Sequence, residues 1–285
     1  MEIIVGKTAG FCFGVSNAVY KSKEELEKHK NLYCLGELVH NKEVTKELEE
    51  EGLQFVDNVE EAKENVIIRA HGEPEVTYIK AKDLGLNVID LTCPKVIKIH
   101  DIAKDYATSG YYIFLVGQKE HPETIGTISY CGEFADIIEK EEDIEVVLEK
   151  FKNSNISNLL IISQTTFSME KFELICKKIK ERLDGKYNIE IKNTICNATK
   201  LRQEETEELS EEVELMIIIG GRHSSNTNKL YNIATSKCKN SILIENKDEL
   251  DINYIKQFDK IGIMAGASTP EKSVNEVVDL LKKLW

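Results

Sequence analysis

Three of the seven cysteines in this chain share one kind of setting. Cys12 stands in GFCFGV after the apolar run EIIV, Cys93 in DLTCPKVIKIH after NVID, and Cys196 in KNTICNATKLRQ after NIEI. Each reads as strand, then cysteine, then helix. A helix start offers unpaired N–H groups and about half a positive charge, which favours the thiolate, the metal-binding and nucleophilic form. The spacing contains no CxxC pair, and structural zinc is normally closed by a fourth protein ligand. Three thiolates could instead hold three irons of a four-iron, four-sulfur cluster and leave the fourth open to a ligand. On spacing alone, three unrelated core cysteines fit as well. The glycines beside Cys12 would let backbone approach a bulky group, and Phe11 and Phe13 would keep it dry. Cys34, Cys131, Cys176 and Cys238 read as packing or surface residues.

Other polar residues follow apolar runs in the same way: His40 after NLYCLG, His71 after NVIIRA and His121 after YYIFLVG. Taken singly, each histidine is more often structural; together they mark the ends of strands where α/β folds assemble their sites. The turns GGRHSSN and AGASTP put Ser224, Ser225, Asn226, Ser268 and Thr269 at helix starts, where hydroxyls and backbone N–H groups suit a phosphate. Ordinary helix capping by the same serines or Thr269 would also explain them. No GxxxxGK[ST] loop is present. Glu123, two residues after His121, could supply a proton if a dry pocket raised its pKa, although it also suits an ordinary helix start. SQTT places Thr165 after NLLII.

The elements that must position these residues are legible. Eleven short β-rich runs (EIIV, NLYCLG, NVIIRA, NVIDLT, YYIFLVG, ADIIE, NLLIIS, NIEIKNTI, ELMIIIGG, SILIE and KIGIMAG) alternate with amphipathic, charged segments. Apolar strands separated by helices predict parallel sheets covered on both faces, an α/β fold of several small packed units. The four prolines, at 74, 94, 122 and 270, suit the first turn of a helix.

The 285 residues carry 37 basic and 50 acidic side chains, a net charge of −13. That excludes the basic footprint of a nucleic-acid or anionic-membrane binder. The apolar runs are too short to span a bilayer, and the N-terminus lacks the basic and hydrophobic regions of a secretory signal. An odd number of scattered cysteines points to a reducing, cytoplasmic setting.

In order along the chain, GFCFGV, GELVHN, RAHGEP, DLTCPKVIKIH, QKEHPETIGT, SQTT, CNATKLRQ, GGRHSSNTNKL and AGASTP resemble the LytB-type 4-hydroxy-3-methylbut-2-enyl diphosphate reductases. The resemblance runs from about residue 4 to about residue 275. It implies three parallel-sheet α/β units around a pseudo-threefold centre that holds an iron–sulfur cluster. The units expected are 14–93, 94–192 and 193–285, the last completed by the N-terminal strand 1–13. It implies a 4Fe-4S cluster with three cysteine ligands, Cys12, Cys93 and Cys196, and one open iron. His40, His71, Ser224, Ser225, Asn226 and Ser268 match the family's diphosphate pocket. Glu123 matches the proton donor, with His121 and Thr165 in the relay or in substrate positioning. The reaction implied is a two-electron reductive dehydroxylation of the allylic diphosphate to isopentenyl and dimethylallyl diphosphates, the last step of the non-mevalonate isoprenoid route. Electrons would come from an external carrier of flavodoxin or ferredoxin type, because no GxGxxG follows a strand. Arg222-His223 and Phe13 depart from the family pattern without touching a proposed catalytic atom.

Three rival readings differ from this one in particular residues. Quinolinate synthase and diphthamide-synthesis enzymes also draw one cysteine from each of three domains, but the two serine turns and the SSN run call for a diphosphate. An iron–sulfur sensor would need no proton donor such as Glu123 and would carry a partner element. A structural zinc protein lacks its fourth ligand.

Overall fold

The apolar runs become parallel strands in the computed structural model, which describes residues 2–283. Three four-stranded sheets form among the described residues. The first holds β1 (Glu2–Val5), β10 (Leu215–Ile219), β11 (Ser241–Ile244) and β12 (Lys260–Ala265), in the order β1-β12-β10-β11. The second holds β2 (Leu32–Leu35), β3 (Gln54–Val56), β4 (Asn65–Ile68) and β5 (Asn87–Asp90), in the order β3-β2-β4-β5. The third holds β6 (Tyr112–Val116), β7 (Ala135–Ile138), β8 (Asn158–Ser163) and β9 (Asn188–Ile191), in the order β7-β6-β8-β9. Every pairing is parallel, with registers such as Ile4 opposite Gly262, Cys34 opposite Ile67 and Phe114 opposite Ile161. The same topology therefore recurs three times, with β1 from the N-terminus serving as the fourth strand of the first sheet.

Burial explains why the pattern was readable. The inner strands β2, β4, β6 and β10 are buried at every position, and β8 and β12 at all but the first. Alternate side chains go to opposite faces: Tyr112, Phe114 and Val116 join one core, Ile113 and Leu115 another. Each buried side chain of this size contributes roughly 1.5–3 kcal/mol. The edge strands are only half covered. One of them, β3, is the three-residue QFV, too short to show a pattern and missed in the sequence.

Helices link the strands. The ones that bear on function are α1 (Phe13–Lys28), α2 (Lys42–Glu50), α3 (Glu75–Asp83), α4 (Pro94–Thr108), α5 (Pro122–Ile128), α6 (Asp143–Asn153), α7 (Met169–Leu183), α8 (Asn197–Glu212), α9 (Ser225–Lys237), α10 (Ile252–Ile255) and α11 (Glu271–Lys282). Pro94 and Pro122 open α4 and α5, while Pro74 and Pro270 occupy the cap positions just before α3 and α11.

The chain forms two compact units. The smaller comprises Met1–Ser16, Val39–Leu48 and Asn197–Trp285 and contains the first sheet; the larger comprises Asn17–Leu38 and Glu49–Cys196 and contains the other two. Residues 1, 284 and 285, which fall within the third unit expected from the sequence, lie outside the described residues. None of the described helices is long and apolar enough to cross a membrane.

Candidate active site

In each sheet one edge strand leads to a cysteine and the two inner strands lead to the other candidate residues. In the first sheet β1 leads to Cys12, β12 to Ser268 and β10 to Ser224, Ser225 and Asn226. In the second β5 leads to Cys93, β4 to His71 and β2 to His40; in the third β9 leads to Cys196, β8 to Thr165 and β6 to His121 and Glu123. The remaining edge strands, β11, β3 and β7, lead to none. Each cysteine directly precedes its helix, α1, α4 or α8. Each also donates its backbone N–H to a carbonyl at the end of the neighbouring inner strand. Cys12 uses Ala267 (3.0 Å), Cys93 uses Ala70 (3.0 Å) and Cys196 uses Thr165 (2.9 Å).

The larger unit brings its candidates into one connected set. The His71 and His121 rings meet edge to face at 5.5 Å. His121 caps α5 through Nδ1, which accepts from the Glu123 N–H at 3.2 Å, so the neutral ring carries its proton on Nε2. Glu123 is buried, and its carboxylate accepts from the Thr165 N–H and from the Thr165 hydroxyl, both at 2.6 Å. Burial pushes this carboxyl up to about 7, and the two Thr165 hydrogen bonds only partly offset that. Thr165 in turn holds the Cys196 backbone. A group able to give up a proton near neutral pH is thus one residue removed from a candidate ligand.

The smaller unit is built differently. The Ser268 hydroxyl donates to the His40 carbonyl at 2.9 Å, and the His40 ring meets His223 edge to face at 5.5 Å. A Cβ on Gly221 would come within 2.9 Å of the same His40 carbonyl, which is why the turn carries glycine there. Ser224 caps α9 by accepting from the Thr227 N–H at 3.3 Å. Capping therefore accounts for Ser224 but not for Ser225, Ser268 or Thr269, whose hydroxyl donates to the Ile219 carbonyl. Asn226 is 4% exposed, and both polar atoms of its side chain lack a hydrogen-bond partner among the described residues. Each buried polar atom left in that condition costs about 1–3 kcal/mol, so the position favours a polar ligand.

The cysteines fall into two classes. Cys12, Cys93 and Cys196 are of intermediate exposure, whereas Cys34, Cys131, Cys176 and Cys238 are buried. Burial raises the Cys34 thiol and pushes Cys131 and Cys176 up to about 12, which keeps them protonated and inert. One expectation at Cys12 is corrected. Phe13 is 77% exposed and shields nothing, because it begins α1 on the outward side. Gly10 has φ +108°, a left-handed conformation that favours glycine.

Some residues that shape the site were not read in advance. Arg69 and Glu73 form an ion pair at 2.7 Å that brackets the His71 turn. His100 stacks on Tyr130 at 4.3 Å, and the Tyr130 hydroxyl donates to the Glu73 carbonyl. Arg202 and Glu205 hold the loop that precedes Cys12. Charged residues on amphipathic helices look alike in sequence, which is why these were not distinguished.

The LytB protein family model matches residues 3–282. The chain belongs to the LytB family. Among its LytB relatives, a 4-hydroxy-3-methylbut-2-enyl diphosphate reductase from Clostridioides difficile is 42% identical over 287 residues, covering all of both chains. A solved structure of the E-1-hydroxy-2-methyl-but-2-enyl-4-diphosphate reductase from Plasmodium falciparum has a TM-score of 0.91 at 31% identity, over 99% of this chain and 88% of that one. Another, of (E)-4-hydroxy-3-methyl-but-2-enyl diphosphate reductase, the terminal enzyme of the non-mevalonate pathway, has a TM-score of 0.72 at 37% identity, over 99% of this chain and all of that one. LytB membership implies an iron–sulfur cofactor. The donor set of this LytB chain fits one: three partly exposed cysteines, each directly before a helix, beside four that are buried.

Proposed function

We propose that this chain reduces 4-hydroxy-3-methylbut-2-enyl diphosphate to isopentenyl and dimethylallyl diphosphates, with a 4Fe-4S cluster held by Cys12, Cys93 and Cys196. The observation that carries the reading is Glu123: a fully buried carboxyl, poised near neutrality, clasped by the residue that anchors Cys196. Such a group has no structural purpose that a neutral side chain would not serve better. It has a clear chemical one where hydroxide must leave as water.

When bound, the cluster would relay two electrons, one at a time, from the external carrier and would offer the departing oxygen a Lewis acid at an iron without a protein ligand. The residues of the chain do the rest. Ser225, Asn226 and Ser268, with the first N–H groups of α9, hold the diphosphate as neutral donors, and the same reading assigns His40 and His71 to that task. Neutral donors suit this task in an acidic chain, because they bind the anion without a counter-charge that would have to be desolvated. Glu123 delivers protons from a carboxyl that burial pushes up to about 7, one to the departing hydroxide and, after reprotonation from solvent, the second that the carbon skeleton takes up with the two electrons. Thr165 aims the carboxyl with two hydrogen bonds, and His121 fixes the backbone at the start of α5.

The same reading divides the chain into units 14–93, 94–192 and 193–285 with strand 1–13. It also calls for an external electron carrier of flavodoxin or ferredoxin type and a cytoplasmic setting. The odd number of cysteines and the absence of any CxxC pair support that setting.

The test is anaerobic reconstitution with iron and sulfide, followed by Mössbauer spectroscopy with and without the allylic diphosphate. Four irons per chain, one of them distinct and shifted by the diphosphate, is the expected result. A zinc-loaded protein, or a cluster indifferent to the diphosphate, overturns the assignment.

A further inference from the structure

We propose that Arg202 and Glu205, three residues apart on one face of α8, are positioning residues that clamp the loop presenting Cys12. The loop runs from Gly6 to Phe11, between β1 and α1. Its ends are tied to β12 and the turn beyond it by the Gly6 N–H on the Ile263 carbonyl (2.9 Å) and the Cys12 N–H on the Ala267 carbonyl (3.0 Å). Between those ties the loop has no strand partner, so its backbone groups need other ones.

Glu205 and Arg202 divide that work by charge. The Glu205 carboxylate accepts from the Lys7 N–H (2.6 Å), the Thr8 N–H (2.8 Å) and the Thr8 hydroxyl. The Arg202 guanidinium donates from Nε to the Thr8 carbonyl (2.9 Å) and from Nη2 to the Gly10 carbonyl (2.8 Å). Arg202 is 3% exposed. Five charge-assisted hydrogen bonds thus meet three residues of the loop, Lys7, Thr8 and Gly10, on both their donor and acceptor sides. A fork of two N–H donors is needed to reach two carbonyls two residues apart, which a lysine point charge does not supply. A loop held only for stability could be shortened or packed with apolar side chains. This one is fixed by polar groups immediately ahead of a free thiol, which suits a ligand whose position must be set before the metal arrives.

The inference rests on Cys12 being a ligand, and the experiment separates the two. Arg202→Lys, Glu205→Gln and the milder Thr8→Val are compared with Leu230→Ala, a core truncation on α9 in the same unit, chosen to lower the melting temperature at least as much. In the metal-free protein, amide exchange of residues 7–12 and alkylation of Cys12 are expected to rise about tenfold in the α8 variants but not in Leu230→Ala. After anaerobic reconstitution, bound iron is expected to leave to a chelator several-fold faster in the same variants. Thr8→Val, which loses only a hydroxyl, keeps the test alive if Arg202→Lys does not fold. Wild-type exchange at 7–12, or iron loss that follows melting temperature alone as in Leu230→Ala, overturns the clamp. A Cys12→Ser protein that retains wild-type iron overturns instead the reading of Cys12 as a ligand, and with it the purpose assigned to the clamp.

Discussion

The two units solve opposite problems with the same strand ends. In the smaller one, the inner strands lead to Ser268 and to Ser224, Ser225 and Asn226, groups that keep no charge at any working pH. In the larger one, the corresponding strands of the third sheet lead to Thr165 and to His121 and Glu123, where a carboxyl is held near its titration point. The topology is the same, so the difference lies wholly in side-chain chemistry. On the proposed function, one unit would offer an anion a fixed set of neutral dipoles, and the other a mobile proton. Substitutions in the first should therefore move binding, and those in the second should move turnover.

Glu123→Gln is the strongest way to break that comparison. The amide keeps the shape and both contacts: its oxygen accepts from the Thr165 N–H and its NH2 donates to the Thr165 hydroxyl. It cannot release a proton. Steady-state kinetics should show kcat down by about 10²–10⁴ with KM nearly unchanged. A variant that keeps kcat within a few-fold removes Glu123 from the reaction.

The same substitution has a second signature, in stability. Burial raises the folded-state pKa of Glu123 from 4.5 to about 7, so the folded chain holds a proton that the unfolded chain has released across that range. Stability is then fully present below pH 4.5 and declines as pH rises through 7, a loss on the order of 3 kcal/mol. Glutamine has no charge to desolvate. Thermal melts of the metal-free protein should therefore show Glu123→Gln matching the parent at pH 5 and exceeding it at pH 8. For turnover the direction is the same: kcat should fall on the alkaline side with an apparent pKa near 7. Thr165→Val removes the hydroxyl bond that lowers the carboxyl, and should move that limb to higher pH.

Both signatures depend on residues that the sequence displayed openly. Glu123 and His121 were legible because the apolar run YYIFLV ends just before them, and the three cysteines because each falls between a β-rich run and an amphipathic one. Inner strands announce themselves by continuous burial. The edge strand β3 does not, since Gln54, Phe55 and Val56 are partly exposed and too few to show a period. The direction of a side chain was also out of reach. Phe13 looked like a shield and is exposed, because its place at the start of α1 fixes where it points. Arg202 and Glu205 were invisible for another reason. Their partners are backbone groups of residues 7–10, nearly two hundred positions away, and backbone groups leave no mark in a sequence.

On the anion side, Asn226→Ala sharpens the comparison at smaller amplitude. Its amide has no partner among the described residues, so removing it sacrifices no hydrogen bond within the chain. KM for the diphosphate should rise roughly tenfold, the worth of one hydrogen bond of about 1.5 kcal/mol to a charged group, with kcat within a few-fold. The melting temperature of the metal-free protein should change little. A drop in kcat without a change in KM would place Asn226 with the proton-handling residues and dissolve the distinction between the units.

Ser224→Ala is the mildest probe and separates capping from binding within a single turn. The Ser224 hydroxyl is already engaged with the Thr227 N–H at the start of α9, which is work enough to explain a serine there. Its loss should cost about 1 kcal/mol of stability, as N-cap removal does. Its effect on KM should be smaller than that of Asn226→Ala or of Ser268→Ala, whose hydroxyl donates to the His40 carbonyl and keeps its lone pairs for a ligand. Parallel melts and KM measurements on the three alanine variants decide it. If Ser224→Ala raises KM as much as Asn226→Ala does, the cap and the anion site are one device, and the helix start rather than the individual side chains carries the diphosphate.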